Sequence, residues 1–423
     1  MNPTNTKKIA LPKKFLWGAS SSAHQVEGGN KNDWTAWEKK NAKKLAGEAA
    51  QKWENWQQGN FPEMFQPDNY CSGHAADHWH CFAEDFALAR SLNHNAHRFS
   101  LEWSRIEPRK GIFDEKALRR YGRVLKALKK NELEPFVTLW HWTLPLWLEK
   151  EGGILAEHFP AYFERFTEKV VKKFKRQVRF WMTINEPSVI VSNAYLRGLW
   201  PPQRKCLREA NRAFKHLAVS HNLAYAKIKT IDPRAQVGLA NNMVFLEPKY
   251  RFCVVDQAVV RLYRYFSNER IYRLTAGKHD FIGLNYYFHQ KIRFTLKNYN
   301  ENKEVTDLGW EIYPKGIYYV VKEAVKYLGS KKIPVYITEN GLADQSDEKR
   351  FNFVLSHIKQ IKRVIKEGYN VKGYFYWALT DNFEWDKGFW PRFGLIAVDY
   401  TTQQRTVRKS AWKIKEQVVM NKK

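Results

Sequence analysis

Eight short apolar or β-branched runs separated by amphipathic stretches constrain this chain more than any other feature. The runs are Phe15–Ala19, Ala96–Ser100, Pro135–Trp140, Phe180–Asn185, Gln236–Ala240, Phe281–Asn285, Val335–Glu339 and Gly373–Trp377. Between them, Leu118, Tyr121, Leu125 and Leu128 recur near the helical period, as do Phe159, Phe163, Phe166, Val170 and Phe174. Strand–helix alternation of this kind belongs to parallel sheets with helical crossovers. Eight such units predict an α/β chain closed as a (β/α)8 TIM barrel. An open doubly wound sheet would carry a glycine-rich phosphate turn after its first strand, and GASSSAHQ is not one. No internal repeat, linker or low-complexity block marks a boundary, so residues 1–423 are read as a single domain. The longest interval without a strand, Glu27 to Asn95, must hold the first helix and excursions over the barrel mouth.

Several function classes are disfavoured by composition. No stretch approaches the ~18 continuous apolar residues of a membrane span, so no membrane partner is expected. The start, MNPTNTKKIALPKKFLWGAS, has no apolar run followed by a cleavage site, which predicts a cytoplasmic protein. Cys71, Cys81, Cys206 and Cys253 form no C-x-x-C pair and are expected to be free thiols. CSGHAADHWHC crowds His74, His78 and His80 between two cysteines, but the spacing fits no standard zinc pattern, and neither metal nor other cofactor is expected. The formal charge of +28 raises the question of a nucleic acid or an anionic surface. The cations are nevertheless dispersed. Lys126, Lys129 and Lys130, or Lys172, Lys173, Lys175 and Arg176, fall at helical spacings and read as solvated helix faces, so no nucleic-acid partner is expected. With 17 Trp, 21 Tyr and 26 Phe, the chain has aromatics enough for a sugar site, since a pyranose face stacks on an indole. An aromatic-rich core would account for them equally well.

In (β/α)8 enzymes the site lies at the C-terminal ends of the strands, and here those ends are polar. The second strand ends near Arg98, the third in Trp140-His141-Trp142, the fourth in Asn185-Glu186-Pro187 and the sixth in Asn285-Tyr286-Tyr287. The seventh ends in Glu339-Asn340-Gly341, and the eighth leads from Trp377 to Glu384-Trp385. Two glutamates facing each other across the mouth suit glycoside hydrolysis, in which one carboxyl protonates the leaving oxygen and the other attacks or stabilises the sugar. Either glutamate alone could be a salt-bridge or helix-cap residue. With Arg98, His141, Asn185 and Tyr287 at the same end, the chemical reading is favoured.

The segments FLWGASSSAHQVEG, HRFSLEWSRIEP, TLWHWTLP, TINEP, GLNYY, ITENG and YWALTDNFEW resemble glycoside hydrolase family 1, in that family's order, from Phe15 to Trp385. RFGLIAVDY carries the resemblance to Tyr400. The resemblance implies a retaining double displacement with carboxyls roughly 5–5.5 Å apart. Glu186 in TINEP then corresponds to the acid/base and Glu339 in ITENG to the nucleophile, with Arg98, Tyr287 and Asn285 completing the catalytic set. Gln25, His141, Trp142, Asn185, Glu384 and Trp385 fall at sugar-binding positions, Trp377 at the platform under the ring, and Trp310 at an aglycone-side tryptophan. Small-molecule β-glycosides or oligosaccharides are the implied substrates. Phosphate-specific relatives replace the glutamate at position 384 with a small hydroxyl residue and add Lys and Tyr nearby. This chain keeps Glu384 and adds only Lys387, so a neutral glycone is expected. It is also shorter than most members between Asn242 and Asp280 and after Gly341, on the aglycone side, which leaves the identities of glycone and leaving group open. A non-catalytic sugar-binding relative and a thioglycoside-cleaving variant are the rivals, and the presence of both glutamates opposes them.

Overall fold

In the computed structural model, which describes residues 8–420, eight parallel strands close on themselves in chain order. They are β1 (Leu16–Ser20), β2 (Ala96–Ser100), β3 (Glu134–Trp140), β4 (Phe180–Asn185), β5 (Gln236–Asn242), β6 (Ile282–Asn285), β7 (Val335–Asn340) and β8 (Val371–Trp377). Closure comes from β8 pairing with β1, Phe375 opposite Gly18. All eight runs read from the sequence are strands of this barrel, with ends moved by at most two residues. Phe15 drops out because its N–H donates to the Pro12 carbonyl in a turn, 3.1 Å. The opening segment, read above as lacking a leader-type apolar run, lies outside the described residues up to position 7.

The helices form where an apolar stripe can be laid on the barrel. Glu115–Lys130 begins at Asp114, whose carboxylate accepts from the Lys116 and Ala117 amides and so satisfies two orphan donors. It buries Leu118, Tyr121, Leu125 and Leu128 and leaves Lys126, Lys129 and Lys130 exposed. Phe159–Phe174 buries its phenylalanine stripe in the same way, with Lys172 and Lys173 outward. The Glu27–Asn95 interval holds two long helices, Asp33–Lys52 and His78–Ser91, with a short helix, Asn55–Asn60, and the single helical turns Pro62–Phe65 and Pro67–Tyr70 between them. In the second, His78 pairs with Asp85 at 2.7 Å, while His80 pairs with Asp77 at 2.6 Å, and all four cysteines are free. Among the described residues no three His, Cys, Asp or Glu side chains gather as a metal site, and no helix is long and apolar enough to cross a membrane.

One end of the barrel is filled by rings. Phe136 stacks on Phe180 at 4.2 Å between centroids, and Phe281, Tyr336 and Phe375 pack around them. Further along the same strands the inward side chains turn polar: Arg98, Thr138 and Thr338, then the mouth. Register breaks shape that mouth, two of them beside the glutamates. The β4–β5 pairing shifts between Met182 and Asn185, and the β7–β6 pairing shifts between Ile337 and Glu339. Such bulges interrupt strict alternation and re-aim the residues that follow. Gly341, immediately after β7, has no room for a side chain, because a Cβ there would stand 1.9 Å from the Trp377 carbonyl oxygen. Removing the central ring of the floor should leave a cavity that its neighbours cannot close. Phe136→Ala is expected to destabilise the fold by about 3–5 kcal/mol, read as a lowered Tm and denaturation midpoint.

Candidate active site

Arg98 is the hub of the mouth and is fully buried. Its Nε donates to Thr138 Oγ1 at 3.2 Å, its Nη2 to Asn185 Oδ1 at 2.6 Å, and its Nη1 to Glu339 Oε1 and to the Thr338 carbonyl. Tyr287 donates its hydroxyl to the other oxygen of Glu339, Oε2, at 2.9 Å. Burial and the neighbouring carboxylates hold the Tyr287 phenol well above its ordinary range, so it keeps the proton it donates. Each oxygen of Glu339 therefore has its own donor, one a permanent cation, and negative charge there is stabilised.

Glu186 follows β4 in left-handed backbone geometry, φ 45°, with its N–H donating to the Ala240 carbonyl at 2.8 Å. Its carboxyl is nearly buried and accepts at Oε1 from Asn285 Nδ2, 2.6 Å, and Asn242 Nδ2, 3.2 Å. Burial, followed by the charge of Glu339, pushes Glu186 up to about 8, against the pull of Asn285, Arg98 and Asn242. Asn285 is itself aimed by Thr338, whose hydroxyl donates to Asn285 Oδ1 at 2.6 Å. The two glutamates are thus joined by a hydrogen-bonded path through Asn285, Asn185 and Arg98.

A wall of sugar-type groups stands beside them. Asn185 Nδ2 meets His141 Nε2 at 3.1 Å, and burial keeps His141 neutral by lowering it well below its ordinary value. The His141 ring lies near-parallel to Trp377 on one contact, 6.1 Å, and Trp385 on another, 5.9 Å. Trp385 also stacks on His24 at 5.4 Å. Gln25 Nε2 and Asn382 Nδ2 both donate to Glu384 Oε2, at 3.2 and 2.9 Å, leaving Oε1 with no hydrogen bond among the described residues. Desolvation raises Glu384 to about 7. Trp142 is set back from this wall: its indole N–H donates to the Asn185 carbonyl at 2.9 Å and its ring packs on Trp200 and Trp385. Trp310 sits apart from the glutamates, against Phe288 and Tyr287.

All the residues singled out in the sequence therefore lie at one end of the barrel or in the loops that leave it. Asn242, Asn382 and Thr338 were missed. Asn242 had a signal, since the Asn241-Asn242 pair ends the apolar run VGLA, but the strand was read as stopping at Ala240. The electrostatic link between the carboxyls has a direct test. Glu339→Gln removes the charge that raises Glu186, so the Glu186 carboxyl, followed by carbon NMR, is expected to titrate lower than in the unsubstituted protein. An unchanged titration would mean that burial alone sets its proton affinity.

The same architecture occurs in proteins of known activity. The sequence matches Glycosyl hydrolase family 1 over residues 7–268 and 256–423. It is 30% identical to β-glucosidase A of Thermotoga maritima over 96% of this chain and 97% of that one, and 29% identical to a β-galactosidase of Pyrococcus woesei over 97% of each. Among solved structures, the β-glycosidase from Pyrococcus horikoshii superposes with a TM-score of 0.85 at 33% identity, covering 97% of this chain and 95% of that one. The Thermotoga maritima β-glucosidase in complex with glucoimidazole gives 0.84 at 29% identity, covering 97% and 98%. With a closed parallel barrel, two buried glutamates at its mouth and matches that span the chain, this protein belongs to glycosyl hydrolase family 1 and is a β-glycosidase.

Proposed function

We propose that this β-glycosidase hydrolyses terminal, non-phosphorylated β-D-glycosides with retention, through a covalent glycosyl-enzyme. The observation that carries the reading is the opposite treatment of two buried carboxyls: Glu339 is braced by Arg98 and Tyr287, while Glu186 is pushed up to about 8. In the first step a Glu339 oxygen bonds to the anomeric carbon as the bond to the leaving oxygen breaks, and Glu186 transfers its proton to that oxygen. Forming the ester neutralises Glu339. The repulsion that raised Glu186 then falls, so its carboxylate is poised to take a proton from water as the water oxygen attacks the anomeric carbon and releases Glu339. Hydrogen bonds from the Asn185 amide to the sugar 2-hydroxyl would strengthen in the transition state. Both steps use only side chains of this chain. The same reading takes residues 1–423 as one catalytic domain, with the four free thiols favouring a cytoplasmic setting.

Because Glu186 must hold its proton for the first step, kcat/KM for an unactivated glycoside is expected to fall as pH rises through about 8. Glu339→Ala should abolish turnover, and a fluorinated sugar that traps the intermediate should label Glu339. Labelling of a different carboxylate would overturn the assignment. Glu186→Ala should spare aryl glycosides with good leaving groups far more than poor ones, and azide should restore turnover as the β-glycosyl azide.

The preference for a neutral glycone rests on the loop after β8. Glu384 presents Oε1 unpartnered, suited to accept from hydroxyls on the far rim of a sugar, while a phosphate dianion there would meet a carboxyl. The two nearby lysines are already engaged. Lys387 pairs with Asp386 Oδ1 at 2.6 Å and Lys52 with Asp386 Oδ2 at 3.0 Å, and these lysines hold Asp386 well below its ordinary value despite its burial. Nitrophenyl β-glucoside is expected to show a higher kcat/KM than its 6-phosphate under matched conditions. The reverse order would exclude a neutral glycone.

A further inference from the structure

We infer that the lobe built on the loops after β5 and β6 docks on the surface of an anionic lipid bilayer. The lobe rises from the mouth end of the barrel, where Phe245–Pro248 pairs in parallel with His289–Ile292. Beyond that pair the side chains that should be hidden are outside. Phe252 is 89% exposed, Val254 76%, Leu296 65%, Val255 57%, Tyr250 53% and Phe294 52%. They form one knob because Asp256 ties its two strands of chain together, accepting from the Tyr250 amide at 3.4 Å and the Phe294 amide at 3.0 Å. Arg293 lies over both the Tyr250 and Phe294 rings, at 5.2 and 4.9 Å. The stripe continues along the helix Val254–Arg264, whose exposed Val255, Ala258 and Leu262 share a face. An apolar patch of this extent on a water-facing surface marks an interaction site.

Charge selects the occupant. Of the cations on the two segments that form the knob, Arg251, Arg261 and Lys297 are exposed and Lys249 and Arg293 are partly covered. On the first segment the only carboxylate between positions 249 and 266, Asp256, is buried and spent on the two amides just named, and on the second Glu301 is paired with Lys303 at 3.1 Å and Lys291 at 3.9 Å. A second copy of this chain would bring an identical basic rim, and a net charge of +28, against its own. An anionic bilayer offers both complements at once: an acyl boundary for Phe252, Val254 and Phe294, and headgroup phosphates for the cations, of which Arg251 lies over the Phe252 ring and Arg293 over the Phe294 ring. The sequence reading expects no membrane partner because it looks for a spanning run, and docking of this kind needs none. Docked in this way, the enzyme would carry its mouth close to the lipid surface.

Sedimentation with vesicles tests the inference. The full chain is expected to pellet with vesicles of mixed phosphatidylcholine and phosphatidylglycerol and to stay in solution with pure phosphatidylcholine. Phe252→Ser combined with Phe294→Ser should weaken the partitioning by roughly tenfold or more, since the apolar area is lost and the charge is not. Its kcat/KM on a soluble nitrophenyl glycoside and its Tm should match those of the unsubstituted protein, as both side chains are solvent-exposed. Three results would overturn the assignment: no pelleting with the anionic vesicles, pelleting that the double substitution leaves unchanged, or a dimer in solution that the same substitution splits.

Discussion

A guanidinium with no solvent exposure inside a barrel is a demanding element to build around, because desolvating a cation is expensive unless each of its nitrogens finds an acceptor. Arg98 meets that condition by drawing acceptors from three other strands: Thr138 on β3, Asn185 on β4, and Thr338 and Glu339 on β7. The barrel must therefore close with these strands in register for the charge to be tolerated at all. The same requirement fixes the chemistry, since the counter-charge of Arg98 is Glu339, and Asn185 is turned by Arg98 so that its amide nitrogen faces His141. A structural necessity and the arrangement of the candidate site are met by one set of contacts.

Glu186 inherits its properties from that arrangement without touching Arg98. It has no cation of its own; its hydrogen-bond donors are the neutral amides of Asn285 and Asn242. Burial and the field of Glu339 outweigh those dipoles and the more distant pull of Arg98, so the proton is retained. The difference between the glutamates is thus which partners the strands bring, and not the residue type. Both bulges precede these residues, Met182/Asn185 before Glu186 and Ile337/Glu339 before the nucleophile candidate, where the backbone departs from plain alternation.

Those departures also mark where legibility ended. The strands were readable because parallel strands buried on both faces are short apolar runs, and the helices because Leu118 to Leu128 and Phe159 to Phe174 repeat at the helical period. The positions of Glu186 and Glu339 at strand ends followed from the same pattern, whereas Arg98, read as near the end of the second strand, lies in the middle of β2 and reaches the mouth by the length of its side chain. Register did not follow. In QVGLANN the polar Asn241-Asn242 pair marks an end without saying whether it belongs to the strand, because the extension to Asn242 exists through pairing with Asn285 across the β5–β6 ladder. Nor could Trp142 be separated from its neighbours in WHW, since whether an indole faces the mouth or backs it depends on the turn, here at φ 79°. The surface charge was legible as helix faces along Glu115–Lys130, but the apolar knob at Phe252 and Phe294 arises from two segments that only the fold brings together.

The mouth also carries an unfinished set of hydrogen bonds. His141 Nδ1, Asn242 Oδ1 and Asn382 Oδ1 are buried without a partner among the described residues, and each such atom costs free energy in a protein interior. Orphan status alone does not mark a site, as Trp181 Nε1 on β4 is equally without a partner among the described residues and holds none of the site's side chains. What distinguishes the three is that each belongs to a side chain whose other polar atom already holds the machinery: His141 holds Asn185, Asn242 holds Glu186, and Asn382 holds Glu384. One atom of each orients the site and the other faces a need that a hydroxyl can meet. A ligand that brought hydroxyls within reach of these atoms would recover those losses, while an apolar ligand of the same size would recover none, so polar atoms of this kind favour a sugar over an apolar occupant.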